Sequence, residues 1–134
     1  MPINEQEWQR YRRQAEHTLS SAGRDRKAGD HDWACFKAQQ AAELALKGYV
    51  RATREYVTGH SVTRLLGTVG EDAPEELVHC ARELDKVYIP ARDPDAYDAG
   101  APMDYYAAPD SEEAIRCAAQ ILRWLDDRAA AQSP

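Results

Sequence analysis

The stretch from Trp33 to Arg54, WACFKAQQAAELALKGYVRATR, leaves this chain little choice of fold. It contains no proline and one glycine, Gly48. Ala34, Ala38, Ala41 and Ala45 recur at steps of four, three and four, which is one face of an α-helix. A stripe of alanines has little area of its own to bury, so it predicts the close approach of another helix. Trp33, Phe36, Leu44, Leu46, Tyr49 and Val50 flank the stripe and supply bulk. A helix apolar round so much of its girth belongs at the centre of a bundle. Gln39, Gln40, Glu43 and Lys47 interrupt that apolar surface and require either hydrogen-bond partners or solvent on their side.

Four further helices are expected around it. Asn4 with Glu7 is a capping-box start, and Trp8, Tyr11, Ala15, Leu19 and Ala22 line a first helix ending near Gly23. Residues 24–29 then form a short charged connection, which implies an antiparallel neighbour. Asp30 is the expected N-cap of the central helix, which runs from about 31 to 55 and stops near Thr58 and Gly59. Ser61 caps a short helix with Val62, Leu65 and Leu66 inward, limited by Gly67 and Gly70. Asp72, Pro74 and Glu75 open a fourth helix, with Leu77, Ala81, Leu84 and Tyr88 on one side, and Pro90 closes it. Asp110 and Glu113 open the last, with Ile115, Ala118, Leu122 and Leu125 inward and a tail fraying from Ala129. No stretch alternates convincingly as a strand. The expected fold is all-α: one domain over residues 1–134, an up-and-down bundle of four long helices and a short one.

Residues 89–109, IPARDPDAYDAGAPMDYYAAP, fit neither period. Loops this long in a compact domain are commonly functional or disordered. Tyr97, Tyr105 and Tyr106 argue for an ordered loop packed across the bundle, since disordered segments are poor in aromatics.

Charge is divided unevenly along the chain. Residues 1–70 hold 11 Lys+Arg against 8 Asp+Glu, whereas residues 71–134 hold 6 against 15. The acidic half argues against a domain that wraps duplex nucleic acid. Cys35, Cys80 and Cys117 show no metal-ligand spacing and read as reduced, buried thiols. No metal or cofactor is expected. Without a membrane-spanning run or signal-peptide pattern, the expected location is the cytoplasm. P-loop, Rossmann, nucleophile-elbow and zincin motifs are absent.

Three groups of residues carry possible chemistry. Lys47, Arg51 and Arg54 share one strip of the central helix, either as a phosphate grip or as a solvated basic stripe. Asp85, Tyr88 and Arg92 join the fourth helix to the loop, either as a nucleotide or phosphate contact set or as a loop anchor. His60, between Gly59 and Ser61, reads most simply as part of a cap.

Gln39-Gln40-Ala41-Ala42-Glu43 followed by Ala45-Leu46-Lys47 resembles the signature helix of the HEPN family, a helical domain of nucleotide-handling proteins. The likeness extends over nearly the whole chain. Trp8, Ala15, Leu19 and Ala22 resemble the first helix of that family, Gly59-His60-Ser61 with Leu65-Leu66 the turn after the second, and Ala114, Ala118 and Ile121 the last helix. Leu84-Asp85, Tyr88 and Arg92 resemble a segment that in many relatives continues Arg-Tyr-Pro-Asp; here Asp93 replaces that aromatic. The resemblance implies a bundle that is often a homodimer, frequently encoded beside or fused to a minimal nucleotidyltransferase. Some members bind nucleotides, and others are metal-independent ribonuclease toxins of toxin–antitoxin pairs. Arg54 and His60 resemble the loose Arg-His pair of the ribonucleases, with His60 as acid or base and Arg54 stabilising the anion. The stricter Arg-x4-His-x-Tyr motif is missing from its expected later helix. The resemblance therefore favours a non-catalytic, nucleotide-binding module paired with a nucleotidyltransferase. A ribonuclease using Arg54 and His60, or Arg92, and a purely structural dimer are the alternatives.

Overall fold

Helix α1, Glu5–Ala28, starts where Asn4 Oδ1 accepts the Glu7 amide at 3.1 Å. It does not stop at Gly23, and the charged segment expected to be a connection is helical. An interior glycine weakens a helix by only about 1 kcal/mol. The stop comes from Gly29, whose φ of 87° lets its N–H reach Arg26 O at 3.1 Å and the Asp30 N–H reach Asp25 O at 2.8 Å. Helix α2, His31–Thr53, follows at once, so the two are antiparallel neighbours. Asp30 precedes α2 without a side-chain capping bond.

This computed structural model describes residues 2–54 and 58–132; the expected end of α2 around residue 55 lies outside them. Within them α2 ends at Thr53, and it packs against every other helix. Its four stripe alanines are fully buried. Gly48 lies so close to Tyr11 that a Cβ built there would fall 2.1 Å from Tyr11 Cβ. The row of small residues is what lets α1 approach. Trp8 fills the next space, edge-on to Tyr49 at 5.8 Å between ring centroids.

Helix α3, Val62–Val69, is capped by Ser61, whose Oγ accepts the Arg64 amide at 3.1 Å. Gly67 lies inside it rather than limiting it. Helix α4, Glu75–Lys86, has Pro74 at its N-cap; Asp72, expected to open it, pairs with Arg128 at 2.8 Å instead. It ends at Lys86, four residues before Pro90, whose ring excludes a helical carbonyl at that distance.

The segment 89–109 is ordered, with single 3₁₀ turns at Pro94–Ala96 and Pro102–Asp104. Tyr97 stacks on Tyr105 with centroids 4.0 Å apart, and its hydroxyl lies 3.4 Å from that of Tyr106. Buried Ala91 and Pro102 seat the loop on the bundle. Helix α5, Ala108–Gln132, starts before Asp110, whose carboxylate reaches back to the Ala107 amide at 2.8 Å. The tail expected to fray is helical to Gln132: Ala129 is buried, and the Gln132 amide donates to the Tyr49 hydroxyl. Arg12 grips Asp126 with two bonds of 2.7 and 2.9 Å, tying α1 to α5. The fold is all-α, with no strand among the described residues. No helix among them is long and apolar enough to cross a membrane.

Candidate functional site

The polar residues set into α2 converge on Glu43, which is 5% exposed. Its Oε1 accepts from Gln39 Nε2 at 3.1 Å and lies 3.1 Å from His60 Nδ1; its Oε2 accepts from Lys47 Nζ at 3.1 Å. Gln39, fully buried, also donates to His60 O at 3.1 Å and accepts from Gln40 at 2.7 Å. Spacings of four along α2 bring Gln39, Glu43 and Lys47 into one column, and the chain entering α3 brings His60 onto it. A carboxylate this buried is tolerable only with such partners.

His60 is held between that network and an aromatic face. Its ring lies 17° from parallel to Tyr88, with centroids 4.8 Å apart. Tyr88 leans on Phe36 at 6.0 Å, and Trp33 meets Phe36 edge-on at 6.2 Å. The Arg92 guanidinium lies 4.8 Å from the ring centroids of both Phe36 and Tyr88. Its Nε donates to Tyr88 O at 3.0 Å, which leaves its other nitrogens toward solvent. His60, Ser61, Asp85 and Tyr88 line a shallow depression of about 280 Å³ beside this stack.

Tyr88 and Arg92 thus come together, and His60 joins them. Asp85 serves a different purpose: it accepts from the Val62 and Thr63 amides at 2.6 and 3.1 Å and from Ser61 Oγ at 3.2 Å, capping α3 from a neighbouring helix. The basic strip of α2 does not act as a unit. Lys47 is paired with Glu43, and Arg51 donates to the Tyr11 hydroxyl on α1. Arg54 reaches the far end of α3, at Thr68 O (2.6 Å) and Val69 O (3.5 Å). His60 precedes α3, so Arg54 and His60 stand at opposite ends of an eight-residue helix, roughly 12 Å long.

Phe36 and Trp33 escaped the sequence-based site because bulky aromatics on a central helix read as core. Trp33 is in fact 47% exposed. The available signal was position: Trp33, Phe36 and Gln40 recur at helical spacing on a side away from the alanine stripe.

Other reactive groups nearby are quiet. Cys35 is fully buried, and burial foremost, then the charges of Asp110 and Asp32, pushes its thiol up to about 12. Cys117 is likewise pushed up by burial, so neither is a nucleophile at neutral pH. His31 Nδ1 lies 2.9 Å from Ser111 Oγ, but that serine is fully buried and the pair works as a staple between α2 and α5.

The profile of the HEPN domain matches residues 8–128, which include α2 and the His60 face. The chain belongs to the HEPN family. Its HEPN fold is similar to three solved structures. TT1696 from Thermus thermophilus is 42% identical, with a TM-score of 0.87 over 93% of this chain and 98% of that one. ST0689, an archaeal HEPN homologue, is 38% identical, with a TM-score of 0.79 over 91% and 97%. The HEPN domain protein tm0613 from Thermotoga maritima is 32% identical, with a TM-score of 0.73 over 90% and 98%. No curated protein matches this HEPN chain.

Proposed function

We propose that this protein is a non-catalytic HEPN module that binds a nucleotide on the Tyr88–Arg92 face. In this reading it acts in the cytoplasm as a homodimer and as the partner subunit of a minimal nucleotidyltransferase, in a toxin–antitoxin-like pair. The observation that carries the binding role is Arg92 laid over Phe36 and Tyr88 beside an open depression. A guanidinium with free donors suits a phosphate, and the adjoining rings offer a base a surface to stack on. Exposed Trp33 and Ile89 border the same face and suit a protein contact there.

The separation of Arg54 from His60 supports the non-catalytic reading, because a general acid–base and its anion-stabilising partner must meet at one phosphate. The ribonuclease alternative keeps one supporting observation: His60 and Arg92 both contact Tyr88.

The test is calorimetric titration of the full chain with ATP, ADP and AMP in EDTA, with Arg92→Ala and Tyr88→Ala in parallel. Saturable binding is expected, weakened about tenfold or more in each variant, as the loss of roughly 1.4 kcal/mol requires. Absence of binding by folded protein, together with failure to co-purify with a neighbouring nucleotidyltransferase, rejects the proposal. RNA cleavage in EDTA that disappears in His60→Ala or Arg92→Ala replaces it with the ribonuclease.

A further inference from the structure

A second cavity, of about 440 Å³, opens at the other end of α3 from the His60 face. It is lined by Tyr49, Thr53, Arg54, Val69, Arg128 and Gln132. Three separate elements meet there: the last turn of α2, the end of α3 and the last turns of α5.

Its two arginines are held in different ways. Arg54 is anchored by the neutral carbonyls of Thr68 and Val69 and pairs with no acid among the described residues. Arg128 lies over the Trp124 ring at 4.8 Å and pairs through Nη1 with Asp72, a largely exposed carboxylate. The Nε of Arg128 is buried and has no hydrogen-bond partner among the described residues. Gly70 makes room for this arrangement: a Cβ there would fall 2.8 Å from Arg128 Nη2 and 2.4 Å from Asp72 Oδ1. The walls add hydroxyl chemistry. Thr53 Oγ1 donates to Tyr49 O at 2.8 Å and keeps its lone pairs, while the Tyr49 hydroxyl accepts from Gln132 and keeps its proton to donate.

Among the described residues, two guanidiniums stand at the cavity against one solvated carboxylate, although it draws on the acidic half of the chain. Guanidinium forks with hydroxyl donors match a tetrahedral oxyanion. The cavity is larger than a bare oxyanion fills and falls within the size range of small-molecule sites. Val69 and the Tyr49 ring give the remaining space an apolar side. We propose that this cleft is a binding site for a small organic phosphate monoester, its phosphate bridging Arg54 and Arg128. The site is separate from the Tyr88–Arg92 face and does not rest on the function proposed for it.

The experiment is an amide and indole NMR titration of the full chain with ribose 5-phosphate, beside inorganic phosphate, in buffer free of other multivalent anions. Saturable shifts are expected at Thr53, Arg54, Val69, Arg128 and the Trp124 indole, with ribose 5-phosphate the tighter probe. Binding read from these cleft shifts should weaken at least tenfold in Arg54→Gln and in Arg128→Gln. Arg54→Gln decides the matter alone if Arg128→Gln does not fold, because Arg54 is exposed and, among the described residues, its guanidinium bonds only to carbonyls. Folded protein that shows no saturable shift at these residues, that shifts only residues outside the cleft, or that binds in the cleft equally well without Arg54 overturns the proposal.

Discussion

Gly48 on α2 and Tyr11 on α1 occupy a point where the two helices leave no room for one further carbon: a Cβ at 48 would fall 2.1 Å from Tyr11 Cβ and 2.7 Å from Tyr11 Cγ. The obstructing atoms are the base of a side chain, which cannot swing away without moving the α1 backbone. Gly48→Ala should therefore lower stability by about 2 kcal/mol or more, despite the better helix propensity of alanine. Urea denaturation followed by circular dichroism measures this. A stabilised variant would show that α1 is free to shift.

Glu43 offers a sharper contrast between two substitutions. Glu43→Ala leaves Gln39 short of a partner in a fully buried position and strands the Lys47 ammonium, whose side chain is only 17% exposed. A loss of about 3 kcal/mol is expected. Glu43→Gln retains an acceptor and the shape, so roughly half that loss is expected. Equal denaturation midpoints for the two variants would contradict the network as described.

Asp85 tests whether α3 is held from outside. Removing its carboxylate in Asp85→Ala frees the Val62 and Thr63 amides at a helix N-terminus, at a cost of about 1–3 kcal/mol. Asp85→Asn should restore part of that through its remaining carbonyl. Hydrogen exchange should rise first at the α3 amides of Asp85→Ala; uniform exchange across the bundle would assign the effect elsewhere.

Alkaline pH should destabilise the fold before any ordinary base denaturation. The Cys35 thiol is held near 12 in the fold, against 9.0 ordinarily, by burial first and then by Asp110 and Asp32. Cys117 and Tyr106 are shifted the same way, mainly by burial. Between about pH 9 and pH 12 the folded chain therefore keeps protons that the unfolded chain has released. Stability from this source is full below pH 9 and falls as pH rises through the folded value. Denaturant midpoints at pH 8, 9.5 and 10.5 should decline, and Cys35→Ala should flatten the decline. Iodoacetamide should label Cys35 slowly at pH 8 until the chain is unfolded.

The all-helical architecture and the central place of α2 could be read directly from residue order. Ala34, Ala38, Ala41 and Ala45 sit one above another on any α-helix, whatever surrounds it, and a face of such small residues has no use except close packing. The caps at Asn4 and Ser61 were equally local, since each involves an amide three residues on. Where helices end was less visible. Gly23 and Gly29 look alike in a string of letters, yet only Gly29 takes a positive φ and closes α1.

The grouping of polar side chains was decided by tertiary structure alone. Lys47, Arg51 and Arg54 share a helical strip, but a long side chain goes to whichever partner a neighbouring helix supplies. The three end on Glu43, on α1 and on α3. Asp85, in the last turn of α4, and Tyr88, two residues past its end, are three apart in sequence, yet one caps α3 while the other stacks on His60. Arg54 and Arg128 come from positions far apart in the chain and line one cavity because α2 and α5 end side by side. Periodicity specifies a face because helix geometry is a property of the backbone. It cannot specify a site, because a site depends on where distant backbones come to rest.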